Sequence, residues 1–145
     1  MRFRNDFPLP DIEWPPLREY WAAAARGELV LPRCDGCARY VWYPDGACRG
    51  CGATARTWTR VSGRGRLFSW SIVHRAFIPQ LADLVPFVTG LVTIDEDPAV
   101  RLATYVVDCP HDRLAIDMPV VATFRTLQFA GVVGTVTAPC FAPMV

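Results

Sequence analysis

The sequence predicts a mainly β chain with one N-terminal helix, a small four-cysteine metal ribbon and a five-stranded barrel. Three observations carry this. Four of the six cysteines lie between Cys34 and Cys51 in two C-x-x-C pairs. Only the stretch from Leu17 to Gly27 places apolar residues at helical spacing. From Thr57 to the C-terminus, short runs rich in β-branched and aromatic residues alternate with Gly, Pro and Asp turns. A length of 145 residues suits about one domain with a small appendage. The expected division is an arm and helix over 1–32, a ribbon over 33–56 and a barrel over 57–145.

Residues 1–16 are Pro-rich, bear a Trp and have no period, so they read as an extended arm. In "LREYWAAAARG", Leu17, Tyr20, Trp21 and Ala24 fall at i, i+3, i+4 and i+7, which is one helix face. Pro16 precedes that run and Gly27 is placed to cap its end. "ELVLPRC" reads as a strand entering the first cysteine pair, and "YVWYP" as a second strand between the pairs. "TWTRVSGRGRLFSWSIVHRAF" reads as a strand, a Gly-rich bend and a long strand. In that long strand Phe68, Trp70 and Ile72 alternate with Ser69 and Ser71. "FVTGLVTID", "VRLATYVVD", "PVVATFRTLQ" and "GVVGTVTAPCFAP" follow, with a turn and a short helix in "CPHDRLAIDM". About five strands with one helical insert between the third and fourth is the order of an OB-fold, a small Greek-key barrel.

Cys34, Cys37, Cys48 and Cys51 form C-x2-C-x10-C-x2-C. Each C-x-x-C turn aims two sulfurs at one point, and Gly36, Gly50 and Gly52 offer backbone freedom. Two such knuckles face to face make a tetrahedral S4 cage, the preferred structural environment of Zn²⁺, and iron fits the same geometry. Four thiolates close the coordination shell, so the metal is expected to hold the ribbon and perform no chemistry. Paired disulfides are the alternative. The first residues lack the apolar run of a signal peptide, no apolar run approaches a membrane span, and a cytoplasmic location with reduced thiols is expected.

All fifteen basic residues are Arg, which excludes catalysis by lysine. The net charge of +1 divides unevenly, as −1 over 1–32, +6 over 33–75 and −4 over 76–145. The +6 stretch is either an anion footprint or a solvated Arg-rich surface. Within it "RVSGRGR" sets Arg60, Arg64 and Arg66 around two glycines, with Ser62 between. Arginine forks and glycine N–H groups suit a phosphate, although such a bend is also a common turn. His74 and Arg75 end the aromatic strand, either in solvent or at the barrel mouth as a ligand contact. Cys109, Cys140 and His111 carry no nucleophile signature, Asp95, Glu96 and Asp97 read as a solvated turn, and no catalytic residue is assigned. Two functions suit a ribbon joined to an OB-fold. One is binding of single-stranded nucleic acid, disfavoured by the acidic barrel half and the near-neutral pI. The other is contact with a smaller phosphate-bearing ligand such as a CoA thioester.

The ordered combination of motifs resembles a family. "YWAAAARGELVLPRCDGCARYVWYPDGACRGCG" and "VSGRGRLFSWSIVHRAF" are followed by "PFVTGLVTID" and "DRLAIDMPV". Together they are similar to the zinc-ribbon/OB-fold acyl-CoA-associated family known as domain-of-unknown-function family 35, over nearly the whole chain from Leu17. The resemblance implies a rubredoxin-like zinc ribbon held by Cys34, Cys37, Cys48 and Cys51. It implies a non-catalytic subunit of a thiolase-like or lipid-transfer-type aldolase enzyme acting on a steroid, aromatic or other acyl-CoA. Some related domains pair with hydratases of the MaoC type. On this reading helix and ribbon dock the partner, two copies join a symmetric hetero-oligomer, and Arg60, Ser62, Arg64, Arg66, His74 and Arg75 lie toward the CoA. The chain departs from the family in "CRGCG", where proline commonly follows the first cysteine, and in its 1–16 arm.

Overall fold

The computed structural model describes residues 4–145. The arm is not extended. It makes successive turns, with the Phe7, Leu9 and Trp14 N–H groups donating to the Arg4, Asp6 and Asp11 carbonyls at 3.1, 2.8 and 3.3 Å. Asp and Pro favour such turns, and burial of Leu9 fixes the arm on the rest of the chain. Pro15–Leu17 form a 3₁₀ turn that leads into helix α1, Arg18–Ala25. Leu17, Tyr20, Ala23 and Ala24 are buried and Trp21 is half-buried, close to the expected face. That face packs on the chain's own strands, so its apolar residues are not free for a partner.

The helix ends in a Schellman cap. Gly27 takes a left-handed φ of 74°, its N–H bonds the Ala24 carbonyl, and the Glu28 N–H bonds Ala23, both at 3.0 Å. A Cβ at Gly27 would meet nothing within 4 Å, so only backbone strain opposes a side chain. Gly27→Ala is expected to cost about 1 kcal/mol in denaturant unfolding, and Gly27→Asn less.

Strand β1, Val30–Cys34, pairs antiparallel with β2, Arg56–Arg60, from Val30↔Arg60 to Cys34↔Arg56. The strand expected at Thr57 to open the barrel pairs instead with β1 in a separate two-stranded sheet. "YVWYP" is not a regular strand. It contributes one isolated bridge, Arg33↔Tyr40, and a bond from the Val41 N–H to the Pro32 carbonyl at 2.8 Å. Its rings pack instead on the arm and helix: Trp14 stacks on Tyr43 at 5.7 Å and Trp42 tilts onto Tyr20 at 5.2 Å.

The barrel comprises β3 (Arg64–Val73), β4 (Phe87–Ile94), β5 (Asp97–Val106), β6 (Pro119–Leu127) and β7 (Val136–Pro143). It closes in the order β3-β4-β5-β7-β6, with β3 against β6 and a parallel contact at Val106↔Phe141. Five strands and a short 3₁₀ insert at His111–Arg113, between the third and fourth, match the expected OB-fold. Val88, Gly90, Val92 and Ile94 alternate inward along β4. On β3 a bulge between Leu67 and Ser69 interrupts the alternation. Leu67 stays inside opposite Val92, and Trp70 and Ile72 resume opposite Gly90 and Val88. Phe68 is the extra residue, so it lies outside, 42% exposed, where strict alternation expects it inside. One core links Leu17, Tyr20, Leu29 and Leu31 to Leu67, Leu102, Val120 and Phe141. Helix, ribbon base and barrel are thus packed together.

Candidate functional site

The end of β1 delivers Cys34, and the two knuckles repeat one backbone design. The Ala38 N–H bonds the Cys34 carbonyl at 2.9 Å, and the Gly52 N–H bonds Cys48 at 2.7 Å. Ala38 and Gly52, each just after the second cysteine of its pair, take left-handed φ values of 63° and 78°. Gly36 and Gly50 have no such φ. What Gly36 provides is room, because a Cβ there would lie 3.2 Å from the Cys51 Sγ.

The four sulfurs lie within 4.8 Å of one another, with Cys34–Cys51 at 3.5 Å and Cys37–Cys48 at 3.6 Å. A regular tetrahedron with Zn–S bonds near 2.3 Å has sulfur–sulfur edges of about 3.8 Å. The cage therefore fits a thiolate-bound ion, and all six cysteines are free thiols. With the sulfurs this close, the N–H groups of Cys51 and Gly50 hold the Cys48 thiol down to about 6, while the neighbouring Cys34, Cys37 and Cys48 sulfurs push Cys51 up to about 11. All four predicted ligands converge, and four sulfurs leave no open coordination position. The centre is structural.

The other thiols are inert in this setting. Burial raises the pKa of Cys140, and burial with the nearby Asp112 raises that of Cys109. Cys109 bonds the Pro110 carbonyl rather than His111.

The glycine bend holds a carboxylate of its own chain. Glu96 accepts from the Ser62 N–H at 2.8 Å and from the Ser62 hydroxyl at 2.9 Å, and the Arg64 N–H donates to Ser62 Oγ at 3.1 Å. Glu96 is therefore a clasp, not a merely solvated turn residue. Arg60 faces Glu28 at 3.8 Å, and an Arg66 Nη donates to the Asp117 carbonyl at 2.9 Å. Arg60, Ser62, Arg64 and Arg66 thus sit together near the start of β3. His74 and Arg75 follow its far end, about 30 Å along a ten-residue strand. Both are exposed, and Arg75 lies over the Phe77 ring at 5.8 Å. Arg101, which no motif marks, lies in register with the bend: Arg66 pairs with Thr93, and Thr93 with Arg101. Its guanidinium stacks on Phe68 at 4.1 Å.

A four-sulfur ribbon packed on a five-stranded closed barrel defines a zinc-ribbon/OB-fold protein. Residues 21–55 match the family described as ChsH2, rubredoxin-like zinc ribbon domain, and residues 58–125 match ChsH2, C-terminal OB-fold domain. The chain belongs to this two-domain ChsH2 (DUF35) family. It is 30% identical over 126 residues to a probable enoyl-CoA hydratase alpha subunit of Thermomonospora curvata, covering 87% of this chain but 37% of that protein. The chain thus spans little more than a third of that relative. It is 27% identical over 110 residues to a DUF35 domain-containing scaffold protein of Methanocaldococcus jannaschii, covering 75% of this chain and 76% of that protein. Among solved structures it superposes on a chain of the Ltp2-ChsH2(DUF35) aldolase with a TM-score of 0.76 and 28% identity. That match covers 94% of this chain and 100% of the other. A DUF35 protein of Sulfolobus solfataricus shares the fold at a TM-score of 0.57 and 11% identity.

Proposed function

We propose that this chain is a non-catalytic accessory subunit that docks on a thiolase-like or lipid-transfer-type aldolase and lines part of its CoA-ester site. The observation that carries the reading is the match, over 94% of this chain and all of the other, to a chain of an enzyme named as an Ltp2-ChsH2(DUF35) aldolase. The closed sulfur shell and the raised pKa of Cys109 and Cys140, whose thiols meet only backbone carbonyls, support a role without chemistry of its own. The partner supplies the groups that make or break the carbon–carbon bond β to the thioester. This chain supplies wall, orientation and exclusion of water. The metal is zinc, because an all-thiolate tetrahedron with no redox duty suits a d¹⁰ ion. The assembly carries two copies of the chain, the symmetric arrangement commonest among oligomers. No helix among the described residues is long and apolar enough to cross a membrane, and reduced thiols fit a cytoplasmic location.

On the ligand side, Arg64 and Arg66 project from the outer face of β3 and carry the charge toward the ester. Arg60 and Ser62 are already engaged by Glu28 and Glu96, and His74 and Arg75 would meet only the far end of a long ligand. Arg64→Ala and Arg66→Ala are each expected to raise the partner's KM for the CoA ester a few-fold to tenfold, with kcat little changed. That corresponds to about 1 kcal/mol for a lost charged hydrogen bond. An unchanged KM in both variants removes them from the site. The role itself is tested by affinity capture of the tagged chain from its native lysate, followed by mass spectrometry. Stoichiometric recovery of a thiolase-like enzyme supports it, and a hydratase of the MaoC type would move the partner to that class. Recovery of RNA alone, lost steeply as salt rises, would replace it with nucleic-acid binding.

A further inference from the structure

Where the arm, α1, the ribbon loop and the outer face of β5 meet, a cleft of about 880 Å³ opens. This is a size typical of small-molecule sites. Trp14, Trp42 and Tyr43 line it together with two arginines, Arg49 and Arg101. Ala99 and Ala103, flanking Arg101 on the outer face of β5, leave the floor open. Tyr43 is 45% exposed, with Trp14 stacked on its ring at 5.7 Å and Trp42 meeting it at a right angle at 5.6 Å. Arg101 has no carboxylate partner among the described residues and rests on Phe68. Arg49 is 86% exposed and meets Asp45 only at 3.9 Å. Asp11, also in the wall, is an acceptor.

We propose that this cleft binds the adenine-nucleotide end of the CoA ester, with the base stacked on Tyr43 and the phosphates held between Arg49 and Arg101. The proposal rests on the reading that the chain contacts a CoA ester, and it places the nucleotide away from the glycine bend. A π-face stacks with any base, guanidinium forks bind phosphate in two-point fashion, and Asp11 can accept from the exocyclic amine of adenine. The bend is a poorer anion site because Glu96 already occupies its donors. The two places are nonetheless joined. The row Arg66–Thr93–Arg101 crosses three adjacent strands, which sets the Arg66 and Arg101 backbones about 10 Å apart. The rest of the ligand can therefore run from the cleft toward Arg66.

The test is calorimetric titration of the metal-loaded full chain with adenosine 3′,5′-bisphosphate, the nucleotide end alone, alongside tryptophan fluorescence. Saturable binding with quenching is expected. Arg101→Gln should weaken it at least tenfold and Tyr43→Leu several-fold, while Arg113→Gln leaves it unchanged. Ribose 5-phosphate should bind at least tenfold more weakly than the bisphosphate. If a variant melts early or loses metal, Arg49→Gln on the exposed rim reads the same phosphate contact. Absence of saturable binding, or equal affinity in the wild type and in the arginine and tyrosine variants, overturns the site. If the bisphosphate fails to bind while a thiolase-like enzyme still copurifies, the cleft is wrong and the accessory role stands. Binding in the cleft without any such enzyme in the capture experiment leaves the site standing and removes the accessory role.

Discussion

Cys34→Ser is expected to unfold the ribbon and abolish assembly with a partner while leaving the barrel strands formed. The reason is the smallness of what the metal holds. Away from the barrel, the ribbon's own buried cluster is Cys34, Val41 and Cys48, with Cys37 and Ala53 packed against them. Such a core cannot offset the ordering of some twenty residues at roughly 1–2 kcal/mol each. Structural zinc in comparable small modules supplies about 10–16 kcal/mol of apparent binding energy, and a neutral hydroxyl is a poor substitute for a thiolate. The variant should lose its metal by elemental analysis and admit protease between residues 35 and 55. The far-UV signature of the barrel should persist. Prolonged chelation of the wild type should give the same cleavage pattern. A Cys34→Ser chain that is metal-free, protease-resistant and still assembled would refute the structural role given to the cage.

Gly65→Ala is expected to damage the barrel more than any surface substitution. Gly65 pairs with Ile94 on one side and Val120 on the other, at the seam where β3 closes the barrel. A Cβ there would lie 1.9 Å from the Thr93 carbonyl oxygen and 3.0 Å from a Val92 methyl. The first obstacle is backbone in a central strand, so it cannot rotate aside as a side chain would. Overpacking of a well-filled core commonly costs 1–3 kcal/mol, occasionally more. Against backbone we expect about 3 kcal/mol or above, a fall in Tm on the order of 10 °C for a chain of this size. Thermal unfolding of the metal-loaded protein measures it. A loss below 3 °C would mean that β3 and β4 can separate without penalty and that the seam is not a tight closure. The same glycine sits in "SGRGR", which the sequence leaves open between an anion-binding bend and a common turn. The packing explains it without a ligand.

The two C-x-x-C pairs announce their own convergence, because a cysteine knuckle is a local device whose geometry is set within five residues. The helix and its glycine cap are local in the same sense: spacing picks the buried face, and a left-handed residue ends the turn. Strand alternation marks β3 to β7 and their order, and together with the helix and knuckles identifies the two-domain family. What spacing cannot supply is which strand pairs with which. The segment at Thr57 carries an ordinary strand signal, and only the tertiary structure pairs it with β1 rather than with a barrel strand. Phe68 follows the alternation in sequence, yet one bulge turns it outward beneath Arg101. Glu96 lies in an acidic turn, and only closure of the barrel brings it onto Ser62, thirty-four positions away. The aromatic cleft draws Trp14 from the arm, Trp42 and Tyr43 from the ribbon loop and Arg101 from β5. No motif could place these together, because their proximity is a property of the shared core beneath them. By itself the sequence determined the metal cage, the helix and the barrel class, whose causes act over a few residues. The tertiary structure alone decided strand partnership, the facing of the bulged strand and the surface where a ligand can sit, because those depend on contacts between residues far apart in the chain.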